Sequence, residues 1–346
     1  MGLFSLFKKK KKTNDYAKQL TSNVVKSMKQ ISDSNYTPPD IDVVLNQKLD
    51  NGLFPGEIVL INWLDNRVEP LTFPKYFEYK YGLNASLATN KLLKNGLIEY
   101  GSNSNALQGY KVADLKEMLI NKNLPTSGKK ADLIKRLASN MNDDEMNNLP
   151  KSYIVTDLGV KTIKTYEYII KSHSDRYFPT AEAILFKKSN PMYKTYGDLK
   201  WAYLNRELNI HNSKKRYGLL RNVFLARADQ LHSENKHIDA LSNLIAVQII
   251  DCSGLGNSPY SPYYENVMIA PGILTKFEQY NHFVTDAEYS ISFDGAVRLL
   301  HMLNAWGFLK QDDLDYLKKE LRKPNKTKLE KYFSKFKKYT VKRILN

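Results

Sequence analysis

Cysteine is nearly absent: Cys252 stands alone in 346 residues. No disulfide can form within the chain, and a reducing, cytoplasmic setting is the expectation. Cys252 closes an apolar stretch with no cationic flank, so it reads as a buried structural thiol and not a nucleophile. Long apolar runs are also missing, since none approaches the roughly 18 residues needed to span a bilayer. Met1 to Phe7 is too short for the core of a signal peptide, and its lysines follow the apolar residues instead of preceding them. Histidine is scarce: His173, His211, His232, His237, His282 and His301 show no metal-ligand spacing. His232 and His237, five residues apart, are expected on different helix faces, as surface or packing residues. Glycine never gathers into a phosphate-binding loop, because Thr126-Ser-Gly-Lys-Lys holds one glycine and Gly254-Leu-Gly256 is a lone pair. Asp312, Asp313 and Asp315 lack a His or Lys at nuclease spacing and read as the start of a helix. The chain is therefore expected to be no enzyme and to carry no cofactor and no metal.

Negative charge is outnumbered. Against 52 Lys+Arg stand 36 Asp+Glu, a formal net charge of +16. Such an excess favours polyanionic partners, because cations that meet phosphates release condensed counterions. Lys8 to Lys12 form one run, and residues 1–12, an apolar wedge followed by lysines, are a candidate for weak contact with an anionic membrane. Residues 1–54 read as a basic tail with one short helix near Tyr16 to Ile31.

From Pro55 the pattern tightens. Gly56 to Leu64 (GEIVLINWL) is dense enough for a buried helix, and Phe73 to Tyr81 reads as a second, ending at Gly82. Asn84 is a natural N-cap for a helix over Ala85 to Lys94, with Leu87, Leu92 and Leu93 as its apolar face. Asn95-Gly96 ends it, and Leu97 to Tyr100 reads as a strand. A returning strand, Ser152 to Thr156, and a helix opening at Asp157 come only fifty residues later.

The stretch between, Lys111 to Asn140 (KVADLKEMLINKNLPTSGKKADLIKRLASN), holds two short amphipathic segments. Val112, Leu115 and Leu119 recur on one face, Leu133, Ile134 and Leu137 face them, and Leu124 should plug the space between. Pro125 sets an extended approach, Ser127 is placed to cap the second helix, and Gly128 leaves room for a phosphate beside the backbone. Lys129 and Lys130 add charge to that helix's first turn, Lys135 and Arg136 extend it, and Lys111 and Lys116 join from the first helix. Seven Lys/Arg against three Asp/Glu fall in residues 110–141.

This stretch closely resembles the SAP motif, a helix–extension–helix module. The resemblance implies DNA binding, usually to AT-rich duplex, through Thr126, Ser127, Gly128, Lys129 and Lys130. Asn123 stands where the family commonly has glycine, and asparagine also tolerates a left-handed backbone. The flanking order of helix, helix, turn, helix and strand, with "SYIVTDLGVKTI" after the insert, is similar to a winged helix holding the module in its wing. That resemblance implies a second DNA contact on Ala85 to Lys94, through Ser86, Thr89, Asn90, Lys91 and Lys94.

Beyond the insert the chain reads as helical. Tyr217 to Asp251 suggests a hairpin turning near Asn235-Lys236, with a weak tetratricopeptide-like pattern at Ala228, Leu231, Ala240, Leu244 and Val247. Ser253 to Gly272 reads as a loop, helices follow near Asp294 to Trp306 and Asp312 to Leu321, and a basic one spans Lys326 to Leu345. The expected protein is mainly α: a winged-helix-like domain at 55–105 and 150–172, a SAP-like insert at 106–149, and an α-helical C-terminal domain at 173–346. Its expected partners are duplex DNA and, through the helical domain, another protein. Two rivals remain, a helical adaptor that binds only proteins and a nuclease targeted by its SAP module.

Overall fold

A computed structural model describes residues 41–257 and 262–339. The expected tail helix, the residue 1–12 membrane contact and the end of the basic C-terminal segment lie outside the described residues. The chain is mainly helical and divides into two units, 37–199 and 200 onward. No helix among the described residues is long and apolar enough to cross a membrane.

The first unit opens with α1 (Ile41–Leu45) and α2 (Pro55–Leu64). Pro55 starts α2 where its missing N–H costs nothing. α2 carries Ile58, Leu60, Ile61 and Leu64 into the unit's core without exposure. α3 (Tyr76–Tyr79) is one turn, shorter than the Phe73–Tyr81 expectation. Asn84 caps α4 (Ala85–Lys94) as expected, its side chain accepting from the Leu87 N–H at 3.1 Å. The apolar face of α4 differs: Ala85, Ala88, Thr89 and Leu92 are buried, while Leu87 is 67% exposed. Small alanines there let α4 approach α2, and the leucine is left outside.

β1 (Ile98–Tyr100) and β2 (Tyr153–Val155) pair antiparallel, Ile98 with Val155 and Tyr100 with Tyr153, and Val68 bridges Ser152 beside them. The strand-to-helix corner after β2 explains the Thr-x-x-Gly spacing in the sequence. Thr156 accepts from the Gly159 N–H at 3.1 Å, capping α9 (Asp157–Thr165), and donates to the Gly96 carbonyl at 2.7 Å. A Cβ on Gly159 would lie 2.1 Å from the Leu97 carbonyl oxygen.

Between the strands, residues 101–152 form the insert. It holds α5 (Asn103–Leu107), α6 (Val112–Asn121), α7 (Lys130–Ala138) and α8 (Asp143–Asn147). The polar stretches on either side of α6 and α7 thus carry short helices. α10 (Glu167–His173) and α11 (Thr180–Ser189) close the first unit, and Ile169 and Ala181 join the core of α2. The Tyr81 hydroxyl lies 2.8 Å from Nδ1 of His173. Burial, then the nearby Lys80 charge, lowers the His173 pKa from 6.5 to about 4, while burial pushes Tyr81 up to about 12.

The neutral His173 side chain makes this unit acid-sensitive. The unfolded chain binds the proton from about pH 6.5 down, and the folded one only near pH 4, so stability is full above pH 6.5 and falls as pH drops toward 4. His173→Gln is expected to flatten that fall, which thermal unfolding at pH 7 and pH 5 measures. An unchanged difference between the two pH values would assign the acid sensitivity to other groups.

In the second unit α12 (Tyr196–Ser213) is followed by the expected hairpin, α13 (Tyr217–Ser233) and α14 (His237–Cys252), turning at Asn235 with φ +58°. α14 is buried on every side from Ala240 to Cys252, so it is the unit's central helix. Arg227 is buried between Asn205 and Asn243, and Arg221 grips Asp251 with two bonds of 2.8 Å. Cys252 is buried as expected, and its burial pushes the thiol pKa up. His232 and His237 do not part. They end one helix and start the next, and the turn brings their Nδ1 atoms to 3.2 Å.

α15 (Pro271–Asn281) occupies the end of the expected loop and beyond, and α16 (Asp286–Met302) and α17 (Gln311–Glu320) follow. Asp313 caps α17, accepting from the Lys310 N–H at 2.8 Å, as expected of that acidic cluster. The basic segment is α18 (Lys326–Phe333) and a 3-10 turn from Ser334 to Tyr339, shorter than the single helix expected.

Candidate nucleic-acid interface

The insert is built around its own small core. Leu107, Leu115, Leu119, Leu133, Ile134 and Leu137 are buried together, with Tyr110, Met118, Leu124, Met141 and Leu149 packed around them. Val112, expected in this core, is exposed, and Leu107 from α5 takes its place. Lys122 and Glu145 close the module at 2.6 Å.

Both long helices of the insert begin on a lysine. Lys111 is the N-cap of α6 and Lys129 that of α7. Each is held by the aspartate three residues on. Asp114 accepts from the Lys111 N–H at 3.1 Å, and Asp132 from the Lys129 N–H at 2.9 Å. Ser127 is therefore not the cap. The legible signal was Asp132, three after Lys129, the acidic half of a capping box without its serine.

The extension from Asn123 to Gly128 has its own supports. Asn123 takes a left-handed backbone, φ +54°, which asparagine tolerates. Gly128 sits at φ +118°, and a Cβ would meet Asp132 at 3.1 Å, so the glycine serves the backbone as well as access. Arg136 is not free to extend the basic surface. Its guanidinium reaches back to donate to the Pro125 and Ser127 carbonyls, which locks the extension onto α7. Lys130, half-buried, donates to the Gln108 carbonyl at 2.7 Å, tying α7 to the turn that leads into Lys111.

The insert thus brings Ser127, Gly128, Lys129 and Lys130 together at one helix end, with Thr126 half-buried behind them. Lys129, Lys135, Lys111 and Lys116 present exposed side chains. The first-turn N–H groups of Lys130 and Ala131 have no intrahelical acceptor, as at any helix start. Positive dipole, first-turn N–H groups and lysine meet there, beside the Asp132 carboxylate that caps the helix.

The α4 surface is thinner than expected. Thr89 is buried and donates to the Ala85 carbonyl at 2.8 Å. Lys91 reaches back to Glu57, 2% exposed, at 2.7 Å. Ser86, Asn90 and Lys94 remain exposed beside Leu87.

Among known protein families, the SAP domain matches residues 106–141. No curated protein and no solved structure matches the chain.

Proposed function

We propose, from the SAP domain at residues 106–141, that this chain is a non-catalytic DNA-binding protein. The α7 end of the module meets backbone phosphate of an AT-rich duplex, and the helical second unit meets a protein partner. The observation that carries the reading is the lysine-bearing start of α7, where Lys129 stands exposed over open backbone N–H groups. The element order of the first unit, helix, bridge, two helices and an antiparallel strand pair, supports a winged helix with the SAP module in its wing. Ser86, Asn90 and Lys94 offer that domain a second, weaker contact. The internally held Thr89 and Lys91 are set aside.

The test is binding of the full chain to an AT-rich duplex across a salt series. Lys129→Gln/Lys135→Gln is the informative variant, because Lys130 and Arg136 hold the module together and their loss would confuse folding with contact. Each lost phosphate contact makes the slope of log affinity against log salt shallower by about 0.9, so a change near 2 is expected. An unchanged slope removes this end of α7 from the interface. Absence of duplex binding at low salt sinks the reading and leaves the protein-binding adaptor.

A further inference from the structure

The basic segment at the end of the second unit sorts its charges by direction. Residues 318–339 hold ten Lys/Arg and two Asp/Glu. Glu320 is one of the two acids, and it is buried, as is Asp313 just before the segment. Asp313 is consumed from within, accepting from Tyr332 and Lys335. Leu329 and Phe333, one turn apart on α18, and Phe336 after them are also buried. The inward face therefore takes the apolar residues with Glu320 and Asp313, and the outward face takes most of the lysines, with Glu330 the one exposed acid of the segment.

Some of these cations are committed. Lys318 pairs with Asp294, Arg322 with Asp286, Lys326 with Glu330 and Lys335 with Asp313. Lys319, Lys323 and Lys331 are exposed and make no ion pair among the described residues. A face with one exposed acid, Glu330, and these unpaired lysines keeps an uncompensated positive field, which a string of phosphates neutralises with release of counterions.

We propose that the outward face of residues 319–338 is a second nucleic-acid surface, independent of the SAP module and directed at the phosphate backbone without reading bases. The alternative polyanion, an anionic membrane, fits less well. Membrane-surface helices carry exposed apolar residues that enter the acyl boundary. Here Tyr339 is the one large apolar side chain exposed among the described residues of 318–339, while Leu329, Phe333 and Phe336 point inward. The choice of nucleic acid as partner rests on the DNA reading of the SAP module, but the surface does not share its residues.

The experiment measures duplex binding by the full chain from 50 to 200 mM salt, with Lys319→Gln/Lys323→Gln/Lys331→Gln beside Lys129→Gln/Lys135→Gln. Three lost contacts make the salt slope shallower by about 2.7, so the triple variant loses about 40-fold less affinity than the unaltered chain over that range. The corresponding triple arginine variant keeps the original slope. The two surfaces fail separately: a shift only in the Lys129/Lys135 variant overturns this inference and leaves the SAP reading standing. A shift only in the triple variant does the reverse. Sedimentation with phosphatidylserine vesicles supplies the last arm. Vesicle binding lost in the triple variant, with its DNA slope unchanged, would make the face a membrane patch and overturn the nucleic-acid assignment.

Discussion

Leu133→Ala is expected to unfold the inserted module inside an otherwise folded protein. Leu133 is fully buried in a core of six buried side chains. Truncating a buried leucine costs about 2–5 kcal/mol, and a core this small rarely supplies more than about 3–5 kcal/mol in all. The loss therefore equals the module's whole stability, whereas the host core built on α2 lies elsewhere. Amide hydrogen exchange on the full chain reads this directly. Protection over residues 112–138 should disappear while protection in α2 and α4 survives. Duplex affinity should fall with it, because the start of α7 exists only when the helix does. Retained protection in α6 and α7 would mean that the module draws its stability from outside its own leucines.

The second large effect is expected at Gly159, where two considerations have opposite sign. Alanine is better than glycine in a helix interior by about 1 kcal/mol, so an isolated α9 would gain from Gly159→Ala. In the fold, the added Cβ would stand 2.1 Å from the Leu97 carbonyl oxygen and 2.5 Å from a Val155 methyl carbon. The carbonyl is backbone held between α4 and β1, so it cannot swing aside as a side-chain end would. Overpacking costs typically 1–3 kcal/mol and sometimes more. With backbone as the obstacle the steric cost wins, and a net loss of about 2 kcal/mol should lower the melting temperature of the first unit by roughly 4–8 °C. A rise in melting temperature would show that the strand-to-helix corner can open to admit a methyl group.

The residues that were legible in advance are those whose role is local. Asn84 as a cap, Asn123 in a left-handed turn, the strand at Ile98, the return at Tyr153 and the hairpin turn at Asn235 each follow from a few neighbouring side chains. The apolar residues of the SAP module declared themselves through their spacing, except Val112, whose place Leu107, ahead of the stretch Lys111 to Asn140, takes. What could not be read was how polar side chains are spent. Lys91, Thr89, Lys130 and Arg136 all look like surface contacts in a sequence. Glu57 lies 34 positions from Lys91, and Gln108 lies 22 from Lys130. Partners at such separations are set by packing, not by pattern. His232 and His237 failed for a related reason, because a five-residue spacing means opposite faces within a helix and contact across a tight turn. Leu87 lies outside the core because the neighbouring helix takes alanine there, which hydrophobicity alone does not signal.

The strand pair that holds the module has a consequence for how the chain folds. Closing a flexible loop costs entropy that grows with the logarithm of its length. β1 and β2 are separated by 52 residues, and they must meet before α9 can dock. If the insert is already folded, its leucine core has brought Leu107 and Leu149 into one body, and only about nine flexible residues remain to be closed. The saving is about 1.5 kcal/mol in closure entropy, worth roughly a tenfold population of the paired state. A module that folds first would thus act on its host as an intramolecular folding aid, a service rendered before any nucleic acid is met.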